Sequence, residues 1–351
     1  MSCSRCFHVL VCVVIAACAQ PSTDMLSAET ALKPTLKEGV SFSFIVIGDT
    51  PYSPQDDAML EQALPRMRLI KAPFAVHLGD YKGGGEVCSS ALDDKQRRIV
   101  RSLAPKAVFY TPGDNEWTDC DRAINPLTQR PYSELERLNF VREDMLFDTS
   151  KAPPELEAEQ QNRQRENASW AYQNVRFLTL HIVGTNNGFD EVTGDDLTRA
   201  TDLIMARQAA NLEWLKHGFE RAAKEAAAAV IIIMHADPTN INAGGQGRDC
   251  ITATAKAEQP CDAFLGFRKA LRGHARVFKK PVLLIHGDTG PFTFDKHLAG
   301  QGAENLWRLN AAGDAGPGYG VRDVTKVEVS LGAAPPFRAT GLLSGAAPDA
   351  Q

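Results

Sequence analysis

Several things are missing from this chain, and each absence removes a class of function. Positive charge is not in excess: 38 Lys and Arg stand against 43 Asp and Glu, a formal net charge of -5. A general nucleic-acid binder needs the opposite balance. No Gly-x-Ser-x-Gly is present, which argues against a serine hydrolase built on a nucleophile elbow. The glycines near positions 48 and 83 do not form a Gly-x-Gly-x-x-Gly fingerprint, so dinucleotide binding has no support. Beyond the N-terminus no apolar run approaches the length of a membrane-spanning helix, and no repeat of solenoid period recurs.

What is present points first to export. Arg5 precedes an apolar run over residues 9–17, and polar residues follow. This pattern is that of a secretory signal, too short to span a membrane in the mature chain. Its end reads two ways. Ile15-Ala16-Ala17-Cys18 fits a bacterial lipoprotein box with Cys18 as the acylated first residue, and Ala17-Cys18-Ala19 fits cleavage after Ala19. Residues 19–40 are polar, contain Pro21 and Pro34, and read as a tether. Four cysteines then remain, Cys88, Cys120, Cys250 and Cys261. In an oxidising compartment they suggest two disulfides, with three pairings open. Pairing Cys88 with Cys120 and Cys250 with Cys261 is favoured because each closes a modest loop just after a strand end.

The body of the chain is organised around apolar runs that stop at a ligand-type residue. Residues 42–47 lead to Gly48-Asp49, residues 74–78 to Gly79-Asp80, and residues 107–110 to Gly113-Asp114. Later, residues 229–233 lead to Met234-His235, and residues 281–285 to His286-Gly287-Asp288. Between these runs lie helical patterns at 54–69, 90–103, 206–228 and 264–275. Strand–helix alternation calls for a mainly parallel sheet, whose carboxyl edge is where sites form. If the first three runs are neighbours, Asp49, Asp80 and Asp114 converge. Carboxylates so crowded take up protons or cations. Hard oxygen donors suit divalent ions, and imidazole from His235 and His286 shifts the preference towards manganese, iron or zinc.

These motifs resemble the calcineurin-like metallophosphoesterase superfamily, which includes purple acid phosphatases. The matching stretches are Gly48-Asp49-Thr50-Pro51, Gly79-Asp80, Gly113-Asp114-Asn115-Glu116, His235 and Gly287-Asp288-Thr289-Gly290, in family order over roughly residues 41–330. The resemblance implies a four-layer α/β/β/α sandwich flanked by helices. It also implies two divalent or trivalent metal ions (Mn, Fe or Zn), with metal-bound hydroxide attacking a phosphoester phosphorus. The implied ligands are Asp49, Asp80, Asp114, His235 and Asp288, with His286 as a sixth. Asn115 and His235 take the catalytic positions. Asn115, Lys82, His181 and Asn187 are the expected substrate contacts. The chain departs from the family pattern where Pro51, Asn115, Asp288 and Gly290 replace histidines. Tyr52 or Tyr81 is then a candidate for the tyrosine ligand found in purple-acid-like members.

The reading is therefore an exported phosphoester hydrolase in the periplasm or cell envelope, held to a membrane if Cys18 carries lipid, with no nucleic-acid partner expected. The alternative is a catalytically inactive envelope binding or structural lipoprotein of the same fold. The domain is expected over 41–330, with a charged, exposed or mobile excursion at 131–168 above the active face. Residues 324–330 read as an edge strand, and 331–351 as a frayed tail.

Overall fold

The computed structural model describes residues 41–103, 107–146, 148–190, 192–241, 244–250, 260–313 and 320–350. The expected signal, lipidation site and tether lie outside them.

Two β-sheets are stacked between layers of helix. The first has five strands. Its centre is β1 (Ser41–Ile47), parallel to β2 (Ala75–His77), which is parallel to β3 (Val108–Tyr110). The second sheet has seven. Val175–Thr179, Ala229–Ile233, Val282–His286 and Leu306–Asn310 run parallel through it, in that spatial order. Antiparallel strands flank them: Ala168–Tyr172 and Glu159–Gln160 on one side, Thr293–Asp295 on the other.

Period-two alternation decides which side chains enter which layer. In β1, Phe44 and Val46 point between the sheets, where they join Phe74, Phe109, Trp170, Phe177, Ile231 and Ile285. Ile45 and Ile47 point the other way, onto Met59, Leu60, Ala63 and Met67 of α1 (Pro54–Ile70). In the second sheet, Val230 and Ile232 face Leu215, Phe219 and Leu271 of the helices Leu197–Lys224 and Leu265–Phe278. The result is the expected α/β/β/α sandwich. Trp170 lies between Phe109 and Phe177, with ring centroids 3.6 and 5.3 Å away and nearly parallel planes. Each such ring, fully buried, contributes roughly 1.5–3 kcal/mol by leaving water.

Both favoured disulfides are present, Cys88–Cys120 and Cys250–Cys261. Three expectations need correction. Strand Thr325–Ser330 is not an edge: it lies between β1 and Phe337–Gly341, antiparallel to both, so the sheet extends into the supposed tail. Phe337 is 1% exposed, enough to dock so short a strand. The parallel strand Leu306–Asn310 was also not anticipated, because Arg308 and Asn310 interrupt its apolar pattern. Finally, the region 131–168 is not a loose excursion. Its helix, Glu134–Asp144, sends Arg137 inward to grip Asp93 at 2.9 and 3.0 Å and the carbonyl of Glu116. Residues 153–167 hold one short 3-10 turn, Pro154–Leu156, and one strand pairing, with Gln164, Glu166 and Asn167 buried.

Glu134, in the first turn of that helix, is 3% exposed. Burial, then the charge and hydrogen bonding of Asp121 and the charge of Asp195, push its carboxyl up to about 9. It is protonated in the fold at neutral pH and ionised in the unfolded chain. Its contribution is therefore complete below its ordinary value and declines as pH rises towards about 9. Glu134→Gln should leave thermal stability near pH 4.5 unchanged and raise it by roughly 1–3 kcal/mol near pH 8. Thermal melts showing the same difference at both pH values would refute this.

Candidate metal centre

The three parallel strands of the first sheet end in Asp49, Asp80 and Asp114. The second sheet brings His235 and Asp288 to the same edge. Two of these turns and the turn at Asp288 share an unusual backbone. Asp49, Asp80 and Asp288 have φ of 48°, 54° and 71°. Left-handed backbone costs a non-glycine residue roughly 1–2 kcal/mol, and aspartate tolerates it better than most. Such strain persists where the surroundings over-determine it. Here the Asp288 amide donates to both carboxylate oxygens of Asp49 at 3.0 Å. The Asp80 amide donates to Glu116 at 3.0 Å. Glu116 also accepts the Gly113 amide at 2.7 Å and the Tyr110 hydroxyl, so it joins the second and third strand ends.

Approach between the loops is closest at two glycines. A Cβ on Gly184 would lie 2.3 Å from Asp114 Oδ2 and 2.6 Å from Asp288 Oδ1. One on Gly287 would lie 2.3 Å from Asp49 Oδ2. The carboxylates are thus packed against backbone that leaves them no room to separate.

His235 sits among them, fully buried. Its Nδ1 faces the Leu78 carbonyl at 2.9 Å. A carbonyl only accepts, so Nδ1 carries the proton and Nε2 is left to face the acids. Nε2 is 3.0 Å from Asp114, 3.5 Å from Asp80 and 3.8 Å from Asp288. Burial works to lower this imidazole's pKa, but the charges of Asp80, Asp114 and Asp288 and the hydrogen bond to Asp114 overcome it and raise it well above the ordinary value. Burial, reinforced by neighbouring carboxylates, also raises Asp80 and Asp288 well above theirs. Asp114 goes the other way: burial is outweighed by His235 and Thr185, and it falls to about 2. Without a cation the centre must therefore hold protons that a cation would displace.

The donors fall into two groups, Asp49–Asp80–His235 and Asp114–His235–Asp288, each with ligand atoms within 4.8 Å of one another. Both groups can coordinate a divalent metal, and hard oxygens with one imidazole fit manganese, iron or zinc. They share one imidazole, and only its Nε2 is available. The group containing Asp114 has the shortest contact to it.

A left-handed turn secures that group. Thr185, Asn186 and Asn187 have φ of 50°, 52° and 57°. Thr185 Oγ1 lies 2.8 Å from Asp114 Oδ2 and 3.0 Å from Asp119 Oδ1. The hydroxyl can donate to either carboxylate. Burial and then the charge of Asp114 push Asp119 up to about 7, against the opposing pull of Arg122 and of the Thr185 hydrogen bond. Asn186 accepts the Ala263 amide at 3.1 Å and donates to the Cys261 carbonyl at 3.2 Å, which ties the turn to the second disulfide.

The remaining expectations divide. Asn115 lines the cleft, its amide donating to Asp80 and, at 3.1 Å, to the Tyr52 oxygen. Tyr52 also lines it and donates to Asp80 at 2.8 Å, whereas Tyr81 is turned inward onto Asp93. His286 is not brought to the carboxylates. It shares the parity of Leu284, which faces the helices, and its Nε2 is 3.9 Å from Asp237. Lys82 is fully buried, donating to the Gly83 carbonyl at 2.9 Å. Asn187 is buried and accepts from Arg207, while His181 packs against Trp117 and lies 3.2 Å from Glu166, its pKa lowered to about 4 chiefly by burial. Arg122, Asp119 and Thr185 were not anticipated. Their traces in the sequence are the polar run following Glu116 and the polar loop 185–188.

The cleft above the donors has a volume of about 350 Å³. No family model and no curated protein matches the chain. Among solved structures it is similar to one described as "GAP50 the anchor in the inner membrane complex of Plasmodium", with 10% identity and a TM-score of 0.43 over 88% of this chain and 86% of that one. So distant a likeness adds nothing to what the geometry carries.

Manganese titrations by calorimetry should show Asp114→Asn losing far more affinity than Asp49→Asn, and Thr185→Val losing about tenfold. Binding should tighten as pH rises, because each raised group releases its proton to admit the ion. Equal losses in the two aspartate variants would contradict the ranking of the two donor groups. In architecture and in its strand-end donors, the chain is consistent with a divergent metallophosphoesterase-like sandwich.

Proposed function

We propose that this chain is an exported, metal-holding protein of metallophosphoesterase-like fold that binds a phosphorylated ligand in its cleft without turning it over. One observation carries the reading: a single imidazole nitrogen serves both donor groups. A binuclear hydrolase needs each ion firmly held. Here Pro51 and Gly290 supply no ligand to the Asp49 side, which is left with carboxylates and the Tyr52 hydroxyl.

The proton chemistry agrees. A positioned acid must protonate the leaving group of an ordinary phosphoester. Asn115 stands in the position where the family places a histidine, and an amide cannot shuttle a proton. Its nitrogen is already engaged by Asp80 and Tyr52. Tyr52 has its pKa raised well above the usual value, by burial and then by Asp80 and Asp49, which suits holding a proton rather than giving it up. When bound, a cation would supply Lewis acidity and charge for an anionic ligand. The chain's own residues would hold that ion and keep Asp114 ionised. Export is supported by the two disulfides, which persist in an oxidising compartment. Among the described residues no helix is long and apolar enough to cross a membrane. Attachment through Cys18 is part of the proposal.

A second reading, a metal-dependent phosphoester hydrolase, is favoured by the proximity of two donor groups within one cleft. Elemental analysis and turnover separate the two. The binding reading expects about one equivalent of metal and no hydrolysis of aryl or alkyl phosphoesters above background. Two equivalents with turnover would replace it by the hydrolase. In that case aryl esters should be cleaved faster than alkyl ones, since among the described residues Asn115, in the family's acid position, cannot protonate a poor leaving group.

A further inference from the structure

Carboxylates dominate the cleft, so the side chain that meets an anion there must offset them. Among the described residues lining it, Arg122 is the one cationic side chain. It ends a short 3-10 turn, Thr118–Arg122, that follows directly from the third strand end. The lysine expected to serve, Lys82, is fully buried and does not line the cleft.

Arg122 is held, not loose. Its Nη1 pairs with Asp119 at 2.5 Å, and Asp119 is itself 3% exposed at the side chain, against 41% for Arg122. A buried carboxylate thus anchors an exposed guanidinium, which has five N–H donors in a planar fork. The glycine run 83–85 comes up to the same place. A Cβ on Gly84 would lie 2.8 Å from Asn115 Oδ1, 3.1 Å from Arg122 Nη1 and 3.2 Å from Asp119 Oδ2. Gly84, Asn115 and Arg122 therefore form one wall of the cleft. Asp49, Asp80, Asp114 and Asp288 also line it, carrying the cation-holding donors. Arg122 and Asp288 border an adjoining polar chamber of about 190 Å³ as well, so the guanidinium stands where the two spaces meet.

We infer that Arg122 is the specificity-determining residue for a tetrahedral phosphoryl group, which binds between the cation centre and this wall, and that Asp119 is its positioning residue. This rests on the metal-holding reading above. Arginine suits the task because its fork matches phosphate oxygens bidentately, whereas lysine offers a point charge. The adjoining chamber leaves room for the organic part of a phosphomonoester beyond the guanidinium.

The test uses the full mature chain loaded with manganese and inorganic phosphate as the probe, followed by calorimetry. Arg122→Gln should weaken phosphate binding by about tenfold or more while manganese affinity stays within about twofold. Arg122→Lys should recover part of the loss, and Asp119→Asn should weaken phosphate binding less than Arg122→Gln does. Retained manganese binding in each variant shows that the fold and centre survive. Phosphate affinity in Arg122→Gln equal to wild type would overturn the assignment of Arg122 alone, whereas no phosphate binding by the manganese-loaded wild type would overturn it together with the phosphorylated-ligand reading. Failure of the wild type to bind manganese would overturn the metal-holding reading, and this assignment with it.

Discussion

Crowding of like charge at one sheet edge is the constraint on which the rest depends. Asp49, Asp80, Asp114 and Asp288 surround a single imidazole in a buried site. In water four such groups would ionise and separate. Here backbone packed against them at Gly184 and Gly287 denies them space. The fold resolves the conflict by protonation: His235, Asp80 and Asp288 are raised while Asp114 stays ionised. A cation resolves it more completely, because one charge then answers several carboxylates at once.

Holding that arrangement requires rigid supports outside the donor set. Glu116 joins the second and third strand ends. Arg137 reaches from the helix Glu134–Asp144 to the Glu116 carbonyl, so the segment beyond the third strand stiffens the centre. Thr185 and its left-handed turn fix Asp114 from the opposite sheet. Left-handed backbone at three aspartates and three turn residues is a local cost offset by the aromatic core between the sheets. Stability is thus concentrated in the sandwich and strain at its edge, the usual division in a protein whose site sits where parallel strands end.

The proposed binding role draws on the same geometry. The centre is oxygen-rich, with one imidazole among four carboxylates, so it takes up protons or a cation. Arg122 is the one cationic side chain among the described residues lining the cleft. Asp119 links the two halves, since it lies against Thr185 beneath Asp114 and also pairs with the guanidinium.

The order of elements was legible in the sequence because apolar runs, each closed by glycine and aspartate or by histidine, are local signals with a fixed period. From them came the parallel first three strands and five of the residues gathered at the centre; the layered architecture was implied by the resemblance that those motifs carry, and the favoured disulfide pairings by loops just after strand ends. The strands Leu306–Asn310 and Phe337–Gly341 were not legible, because a strand whose polar residues find partners across the fold shows no clean alternation. Arg308, for example, is buried on Asp295. Tertiary structure alone decided that His286 turns away, that Lys82 and His181 are interior, and that Thr185, Asp119 and Arg122 join the site. The physical reason is that a donor's identity is written in one residue, while its direction and its neighbours depend on contacts between segments far apart in the chain.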